Sequence, residues 1–506
     1  MRTLVINLTR FGDLLQTQPV LSGLRAQGGH VALACLDTFQ GATVLLRDLD
    51  QVLAVPGARF LALLDRSWPK AVAALAAWST EAGTWDRIVN LTPTLPARVL
   101  SRCLSGREHL GFGLDRLGFG TYSGLWAAFL QAASTYRGCS PFNLADLFAR
   151  VANVPPAPLV LKKPSPAARE RARSLLAGLE GPAVAFQLGA SQDYRRWPVS
   201  AFVRAGRVIR ERSGRSPVLL GSAAESHLGR EFAARADYPF LDLTGATDLE
   251  TLAAVLLETE LLLTNDTGTM HLAAGLGVPV AAVFLGTAQP FDTGPCLEGS
   301  LSLEPDMDCH PCSFGEKCPH ALACRERIDP GLLGETIAAR LGGESWKIPH
   351  GLGARAWQAR RDAQGFMELF SLSGHDGTDR SRWIGIQRDV YRRFFDRDNY
   401  PVAPQPVQGE FWTGLARELE RCTLLLTLVE EQVRLLALRP VDALRRKFLL
   451  NCQTLQDVLE QSPALGVLGP MWKYQWTEES RMDEFVNLCG QYRALTALFQ
   501  SCMSLA

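Results

Sequence analysis

Residues 261–286, LLLTNDTGTMHLAAGLGVPVAAVFLG, contain two apolar runs separated by a polar turn and a short helix-like segment. The apolar runs predict two buried strands, and MHLAAGLG between them predicts a helix. A strand–helix–strand unit of this kind builds a parallel sheet with helices on its faces. The polar turn at 265–268 then lies at the carboxyl end of a strand, where such sheets bind their ligands.

Similar short apolar runs recur along the chain in two series. The first consists of TLVINL (3–8), VALACL (31–36), QVLAV (51–55) and DRIVNL (86–91), and the second begins with AVAFQLGA (183–190), SPVLLGS (216–222) and PFLDLTG (239–245). Helical spacing separates the runs, which indicates strands alternating with helices. The Pro-rich segment 155–166 cannot continue a helix or a central strand. The sequence therefore predicts two α/β lobes, 1–158 and 159–347, that face each other across a cleft.

The character of the chain changes after residue 347. Strand-like runs end there, and Leu-rich helical periodicity follows in 408–438, 440–461 and 478–504. We therefore expect an all-helical extension over 348–506, whose sequence indicates no chemistry. The mixed Trp and Arg residues of SRWIGIQRDVYRRFF (381–395) are more typical of packing and solvated charge than of a lipid- or partner-binding face.

Composition excludes several classes of protein. At 506 residues the chain is too long for one core, and its 47% hydrophobic content and formal net charge of zero describe a soluble globular protein. No global basic field is present to attract nucleic acid. The N-terminus lacks the long apolar core of a signal peptide, and no apolar stretch reaches the roughly 20 residues of a membrane-spanning helix. We expect a cytoplasmic protein, with peripheral contact to the inner membrane left open.

The polar turn offers the first candidate site. Asp266 ends the strand, and Thr267, Gly268 and Thr269 begin the helix, whose N-terminal N–H groups could bind a phosphate. Alternatively, Asp266 or Thr267 merely caps the helix. His271 would lie one turn further, close to a ligand at the helix start.

Three other positions would lie on the same side of the predicted sheets. Thr287 follows the strand 279–286, and Arg195 follows the strand 183–190 in QLGASQDYRRWP (187–198), where it could neutralise a diphosphate. Asp13, in LTRFGDLLQTQP (8–19), follows the first strand. Its carboxylate could cap a helix or act as a general base facing the cleft.

Four of the twelve cysteines form a cluster, CHPCSFGEKCPHALAC, in the loop 309–324. The spacing C-x2-C-x5-C-x5-C could hold zinc or an iron–sulfur cluster through four thiolates, or a C-x-x-C pair could serve redox chemistry. Unligated thiols are the third alternative, and a cytoplasmic location argues against stable disulfides. The cysteines are Cys309, Cys312, Cys318 and Cys324.

Three separated motifs, RFGDLLQTQPVLSGLR (10–25), RRWP (195–198) and NDTGTMHLAAGLGVPVAAVFLGT (265–287), occur together in this order. In this combination the chain resembles glycosyltransferase family 9, the ADP-heptose:lipopolysaccharide heptosyltransferases, over roughly residues 1–345. The resemblance implies a GT-B fold of two Rossmann-like lobes, with the acceptor on the N-terminal lobe and the nucleotide-sugar on the C-terminal lobe. It also implies inversion of the sugar in a single displacement without a catalytic metal or other cofactor.

The resemblance further implies roles for individual residues. Asp13 would be the general base for the hydroxyl of a lipopolysaccharide-core or related acceptor. Arg195 falls where the family usually has a Lys that balances the donor diphosphate, and Glu225, in GSAAES (221–226), falls near an acidic residue on the nucleotide side. The residues implied around the donor diphosphate of ADP-heptose are Thr267, Gly268, Thr269 and His271, with Asp266 close by. A similar Cys-rich loop occurs in many members, with no known requirement for a metal in catalysis.

Two other classes of function remain as alternatives. A dinucleotide-dependent oxidoreductase would need G-x-G-x-x-G after the first strand, which NLTRFGDLL does not supply. A non-catalytic protein that binds sugar nucleotides or acts as a scaffold would make the helical extension its functional part.

Overall fold

The computed structural model describes residues 1–136, 140–397, 402, 404–478 and 481–505. The chain divides into two compact units. The first, which we call the α/β unit, comprises Met1–Ser123 and Phe142–Gly374. The second, the helical unit, comprises Gly124–Pro141 and His375–Ala506.

The α/β unit begins with a six-stranded sheet in the order β3-β2-β1-β4-β5-β6. Its strands are β1 (Arg2–Ile6), β2 (His30–Leu36), β3 (Gln51–Val55), β4 (Thr84–Asn90), β5 (Ser105–Leu114) and β6 (Gly120–Tyr122). All pairs are parallel except β5 with β6. The helices of this part of the chain are α1 (Phe11–Leu15), α2 (Gln18–Ala26), α3 (Gly57–Arg66), α4 (Trp68–Glu81), α5 (Leu95–Cys103), α6 (Leu125–Ala133, in the helical unit) and α7 (Leu144–Val151). Leu4 and Ile6 of the central β1 are fully buried in the core of this lobe.

A second, eight-stranded sheet has the order β14-β13-β12-β11-β10-β7-β8-β9. Its strands are β7 (Ala183–Gln187), β8 (Ser216–Leu220), β9 (Leu241–Asp242), β10 (Thr259–Asn265), β11 (Val280–Val283), β12 (Leu301–Pro305), β13 (Ala354–Arg361) and β14 (Met367–Ser371). The helices are α8 (Pro166–Leu176), α9 (Val199–Ser213), α10 (Ser226–Ala233), α11 (Leu249–Leu257), α12 (Gly268–Leu276), α13 (Pro290–Thr293), α14 (Cys324–Arg327) and α15 (Pro330–Leu341). The predicted fold class, two Rossmann-like lobes with parallel sheets and a helical C-terminal region, is confirmed.

Strands continue beyond residue 347, and two of them belong to the second sheet, so the expectation that strands end there is wrong. β13 pairs antiparallel with β12, and β14 pairs antiparallel with β13, at the edge of the second sheet. The sequence of β13, ARAWQARR, mixes buried and more exposed positions and carries three Arg residues. It therefore lacks the continuous apolar run that marks a strand covered on both faces. The helical unit accordingly begins at His375 rather than at 348, and it also takes in Gly124–Pro141, which the sequence analysis placed in the N-terminal lobe.

Long helices form the helical unit. Besides α6, it contains α16 (Asp379–Asp396), α17 (Glu410–Leu438), α18 (Asp442–Gln461), α19 (Leu468–Glu478) and α20 (Met482–Cys502), with a two-stranded sheet of β15 (Gln405–Val407) and β16 (Met503–Leu505). Trp412, Leu419 and Val433 of α17 are fully buried. As expected for residues 381–395, Trp383 and Tyr391 of α16 are buried among other aromatic side chains.

Among the described residues, no helix combines the length and the apolar character that crossing a membrane requires.

Candidate active site

Asn265 is fully buried at the end of β10, and its side chain fixes the loops around the polar turn. Its amide nitrogen donates to the backbone carbonyls of Leu188 and Gly189, both at 3.0 Å. Its amide oxygen accepts from the backbone N–H of Trp197 at 2.9 Å. These bonds tie β10 to the loop that follows β7. Asn265 was not among the site residues predicted from the sequence, although a polar residue that ends a buried strand is itself a signal of such an anchor.

The tied loop brings Arg195 to the polar turn. Arg195 lies in a short 3₁₀ turn, Asp193–Arg195, and its guanidinium pairs with the carboxylate of Asp266. The two side chains are 17% and 9% exposed, so the pair is largely withdrawn from water. A guanidinium–carboxylate pair in such surroundings is strongly coupled. The structure therefore places these two residues side by side, so that the charge of Arg195 is shared with Asp266.

The polar turn does more than cap α12. Thr267 occupies the N-cap position, but its side chain makes no capping hydrogen bond and instead lies 3.3 Å from the hydroxyl of Thr264. Asp266 is engaged by Arg195. The alternative that Thr267 merely caps the helix is therefore wrong. Gly268 and Thr269 begin α12 without a side-chain cap from that position.

Helix α1 of the first lobe reaches the start of α12 in the second through two glycines. A Cβ atom on Gly12 would lie 3.0 Å from the Cα of Gly268, and a Cβ atom on Gly268 would lie 2.5 Å from the ring of Phe11. Neither position has room for a side chain, because the two backbones approach closely. This contact brings Asp13 of α1 to the polar turn.

Asp13 is held in an unusual electrostatic environment. Burial, and after it the carboxylate of Asp266, raises the pKa of its carboxyl group from the ordinary value of 3.8 to about 6, although Arg10 and Arg195 act to lower it. Because the charges of Asp266 and Arg195 both shift the pKa of Asp13, the three side chains form one electrostatic site. A buried carboxyl group that titrates near neutral pH can accept a proton under physiological conditions.

His271 packs against α1 rather than standing open to solvent. Its Nε2 lies 3.3 Å from the side-chain nitrogen of Gln16, and its Nδ1 has no hydrogen-bond partner among the described residues. Burial lowers the pKa of the imidazole to about 4. His271 is therefore neutral at pH 7 and adds no positive charge for an anion. Its contact with a donor stays a prediction.

We expect Gly12→Ala to lower the free energy of unfolding by roughly 1–3 kcal/mol, because the added methyl group overlaps the backbone of Gly268. Chemical denaturation measures the effect. Gly178→Ala is the matched control, since a Cβ atom at Gly178 meets nothing within 4 Å. Equal stability of the two variants would contradict the close approach of α1 and α12.

A cavity of about 640 Å³ lies beside the start of α12 and is lined by Thr269, Glu225 and Phe11, among others. The hydroxyl of Thr269 donates to the side-chain oxygen of Gln187 at 3.1 Å. Glu225 accepts from the backbone N–H and the hydroxyl of Ser222, at 2.7 and 2.9 Å, so it also stabilises the loop after β8. The structure therefore brings two of the predicted donor-side residues, Thr269 and Glu225, to one cavity.

The sequence matches known proteins in the region that builds this site. Residues 81–319 match the model of the family described as glycosyltransferase family 9 (heptosyltransferase). Residues 81–319 belong to glycosyltransferase family 9. The predicted family is thereby confirmed for residues 81–319. The match includes Arg195 and the polar turn, whereas Asp13 lies before it.

Proteins similar in sequence to this chain include lipopolysaccharide heptosyltransferase 2 of Salmonella typhimurium, which is 33% identical over 122 residues. That alignment covers 23% of this chain and 34% of the relative, so the chain spans about a third of its length. Among solved structures, E. coli ADP-heptose lps heptosyltransferase II matches 68% of this chain and 99% of its own, with 18% identity and a TM-score of 0.49. A family 9 glycosyltransferase from Veillonella parvula matches 58% of this chain and 83% of its own, with 21% identity and a TM-score of 0.47.

Thr287 lies in a different cavity of the family 9 region from Thr269 and Glu225. This second cavity, of about 580 Å³, is lined by Thr287, Gly286 and Tyr194. The four clustered cysteines, Cys309, Cys312, Cys318 and Cys324, line it as well. The structure thus separates Thr287 from the cavity beside α12, and its contact with a donor stays a prediction.

The four clustered cysteines are free thiols in the structure, as are the other described cysteines. Burial, and after it the three neighbouring cysteines, raises the pKa of Cys312 to about 11, so this thiol is protonated at neutral pH. Within the described ranges, no three His, Cys, Asp or Glu side chains are placed so that they could hold a metal ion. The structural metal and the redox pair considered for this loop stay predictions.

Proposed function

We propose that the chain is an inverting glycosyltransferase that moves heptose from ADP-heptose onto a lipopolysaccharide-core or related glycan acceptor. The family assignment of residues 81–319 supports the reaction class. The observation that carries the mechanism is Asp13, a partly buried carboxyl group whose pKa is raised to about 6 and which interacts electrostatically with Asp266 and Arg195.

Asp13 is the general base in the proposed reaction. Its carboxylate takes the proton of the acceptor hydroxyl while the hydroxyl oxygen forms a bond to the anomeric carbon of the sugar. The bond from that carbon to the diphosphate breaks in the same step, and its electron pair leaves with ADP. Because attack and departure occur on opposite faces, the configuration at the anomeric carbon inverts.

Arg195 offsets the charge that develops on the leaving diphosphate. Its guanidinium already lies in a largely buried site, where an ionic hydrogen bond is stronger than in water. The N-terminus of α12, at Gly268 and Thr269, adds backbone N–H groups and the positive end of a helix dipole. Arg195 is paired with Asp266 in the structure, so the diphosphate shares or displaces that partner when the donor binds.

The cavity of about 640 Å³ fits the nucleoside part of the donor. Glu225, Asp248 and Glu250 line it, and carboxylates accept hydrogen bonds from ribose hydroxyls or from an exocyclic amine. Thr269 and the start of α12 border the same cavity, which would let one ligand contact both regions.

A panel of nucleotide-sugars tests the proposed function. A donor that binds only the folded protein raises its melting temperature, so ADP-heptose should give a shift that GDP- and UDP-sugars do not match. ADP release in the presence of lipopolysaccharide that lacks core heptose then measures transfer. The proposal fails if no ADP-, GDP- or UDP-sugar changes the melting temperature. A shift without any ADP release would favour the non-catalytic binding protein.

We expect turnover to persist in excess EDTA, because Arg195 and the start of α12 supply positive charge for the leaving group without a divalent cation. The assay compares ADP release before and after chelation. Loss of turnover that returns when Mg²⁺ or Mn²⁺ is added would contradict this expectation.

The proposed acceptor also indicates where in the cell the chain works. A lipopolysaccharide-core acceptor is lipid-linked, so we propose that the chain works at the cytoplasmic face of the inner membrane through peripheral contact.

A further inference from the structure

Helix α17 of the helical unit carries apolar side chains on two opposite sides. Its inner side includes Leu419, Leu426 and Val433, which are buried in the core of the unit. On its outer side, Leu424, Leu428, Leu435 and Leu438 are 67%, 46%, 52% and 84% exposed. An outer position such as Leu424 is two residues from an inner one, which places it on the opposite side of an α-helix. Four large apolar side chains therefore face solvent along about 21 Å of helix.

The spacing of this outer stripe is that of a coiled-coil seam. Leu424, Leu428, Glu431, Leu435 and Leu438 are separated by four, three, four and three residues. Apolar residues with this alternation present the a and d positions of a heptad to another helix. A single polar residue within such a seam sets its register.

The stripe is also nearly symmetric about Glu431. Leu424 precedes Glu431 by seven residues and Leu438 follows it by seven, while Leu428 precedes it by three and Leu435 follows by four. A two-fold rotation about an axis through Glu431, which reverses the helix direction, therefore places Leu424 near the position of Leu438 and Leu428 near that of Leu435. A second copy of the same stripe, running antiparallel, is complementary to the first, as a two-fold axis requires.

We propose that the outer stripe of α17 is a homodimer interface, in which two copies of the chain pair antiparallel about a two-fold axis near Glu431. Leu424 of each copy lies against Leu438 of the other, and Leu428 lies against Leu435. At the axis the two Glu431 carboxylates meet, and each remains next to Arg434, whose guanidinium lies 3.1 Å from it on the same chain. The ion pairs keep the central charges balanced while the leucines on both sides exclude water.

The charges along the stripe favour a protein helix over a lipid surface. Arg417, Glu420, Arg421, Glu431 and Arg434 are all exposed on α17, so both signs occur beside the leucines. An interfacial helix that binds anionic lipid has a strongly basic polar face instead. Heptad spacing of apolar residues is complementary to the surface of another helix, whereas binding to a bilayer does not require such spacing.

The oligomeric state of the full chain gives the first test. Analytical ultracentrifugation should show a dimer of the wild-type chain that dissociates on dilution. Leu428→Glu/Leu435→Glu should be monomeric at the same concentration, and its circular dichroism should match that of the wild type because neither side chain packs inside its own copy. Leu61→Glu/Leu64→Glu is the matched control, since these leucines of α3 are 61% and 53% exposed, and it should remain dimeric.

Cysteine cross-linking tests the axis. Glu431→Cys should form an intermolecular disulfide under mild oxidation, whereas Glu420→Cys should not, because the antiparallel arrangement carries the two copies of position 420 away from the axis. Glu431→Leu should lower the dissociation constant of the dimer by at least tenfold, since it removes the two central charges.

A wild-type chain that is monomeric at all concentrations would overturn the proposal, and so would equal cross-linking at positions 431 and 420, which a parallel pair would give. Binding of the monomer to phosphatidylglycerol vesicles that is lost in Leu428→Glu/Leu435→Glu would assign the stripe to lipid and would also overturn it.

Discussion

Asp13→Asn should reduce turnover by roughly 10³-fold, because the amide cannot accept the proton of the acceptor hydroxyl. The affinity for ADP-heptose should change little, since the proposed role of Asp13 concerns the acceptor. ADP release measures turnover, and the ADP-heptose dependence of the melting temperature measures binding. Asp65→Asn, an exposed carboxylate on α3, is the matched control and should retain full activity. Turnover of Asp13→Asn near the wild-type level would remove Asp13 from the role of base.

The stability of Asp13→Asn separates loss of chemistry from loss of fold. The pKa of Asp13 is about 6 in the folded protein and has the ordinary value of 3.8 in the unfolded chain. Protonated Asp13 therefore stabilises the folded state, fully below about pH 4, and this contribution is lost as the pH rises through about 6. Asparagine does not ionise. The variant should therefore be more stable than the wild type at pH 7, by up to about 3 kcal/mol, and similar in stability below pH 4. An inactive variant that is also destabilised at pH 7 would indicate a structural role instead.

Arg195→Ala should lower kcat by roughly 10²- to 10³-fold, because the leaving diphosphate loses a cation that is already positioned in a largely buried site. The variant also leaves Asp266 without the guanidinium that pairs with it, which adds repulsion against the diphosphate and should raise KM. Steady-state kinetics of ADP release separates the two effects.

Arg195→Lys is the informative control for this position. Lysine keeps the charge but loses the planar geometry of the guanidinium, so most of the activity should survive, at a level between those of wild type and Arg195→Ala. Activity of Arg195→Lys as low as that of Arg195→Ala would mean that geometry rather than charge matters. Full activity of Arg195→Ala would exclude the proposed role.

Much of the fold could be predicted because strands covered by helices on both faces have continuous apolar runs. The runs 3–8 and 260–266, for example, became the central strands β1 and β10. Strands β13 and β14 were missed because they add to a sheet edge, where one side is partly exposed and charged residues such as Arg360 are tolerated. The assignment of Gly124–Pro141 to the helical unit was missed because local periodicity does not reveal which core a helix joins.

The candidate site was partly predictable for a related reason. Polar residues at strand ends pointed to Asp13, Arg195 and Asp266 separately, and the structure supplies the contacts that unite them. The Gly12–Gly268 contact depends on the approach of two lobes, and the support from Asn265 depends on loops far apart in sequence. The buried, neutral state of His271 likewise follows from its packing against Gln16 of the other lobe.

The pH dependence of kcat/KM tests the central claim, that Asp13 is a base whose proton affinity is set by burial and by Asp266. In the wild type, activity should rise with pH through a midpoint near 6, where Asp13 loses its proton. Asp266→Asn removes a charge that raises the pKa of Asp13, so the midpoint should move to lower pH, by roughly one unit. A wild-type profile without an acidic limb, or a midpoint that does not move in Asp266→Asn, would contradict the account.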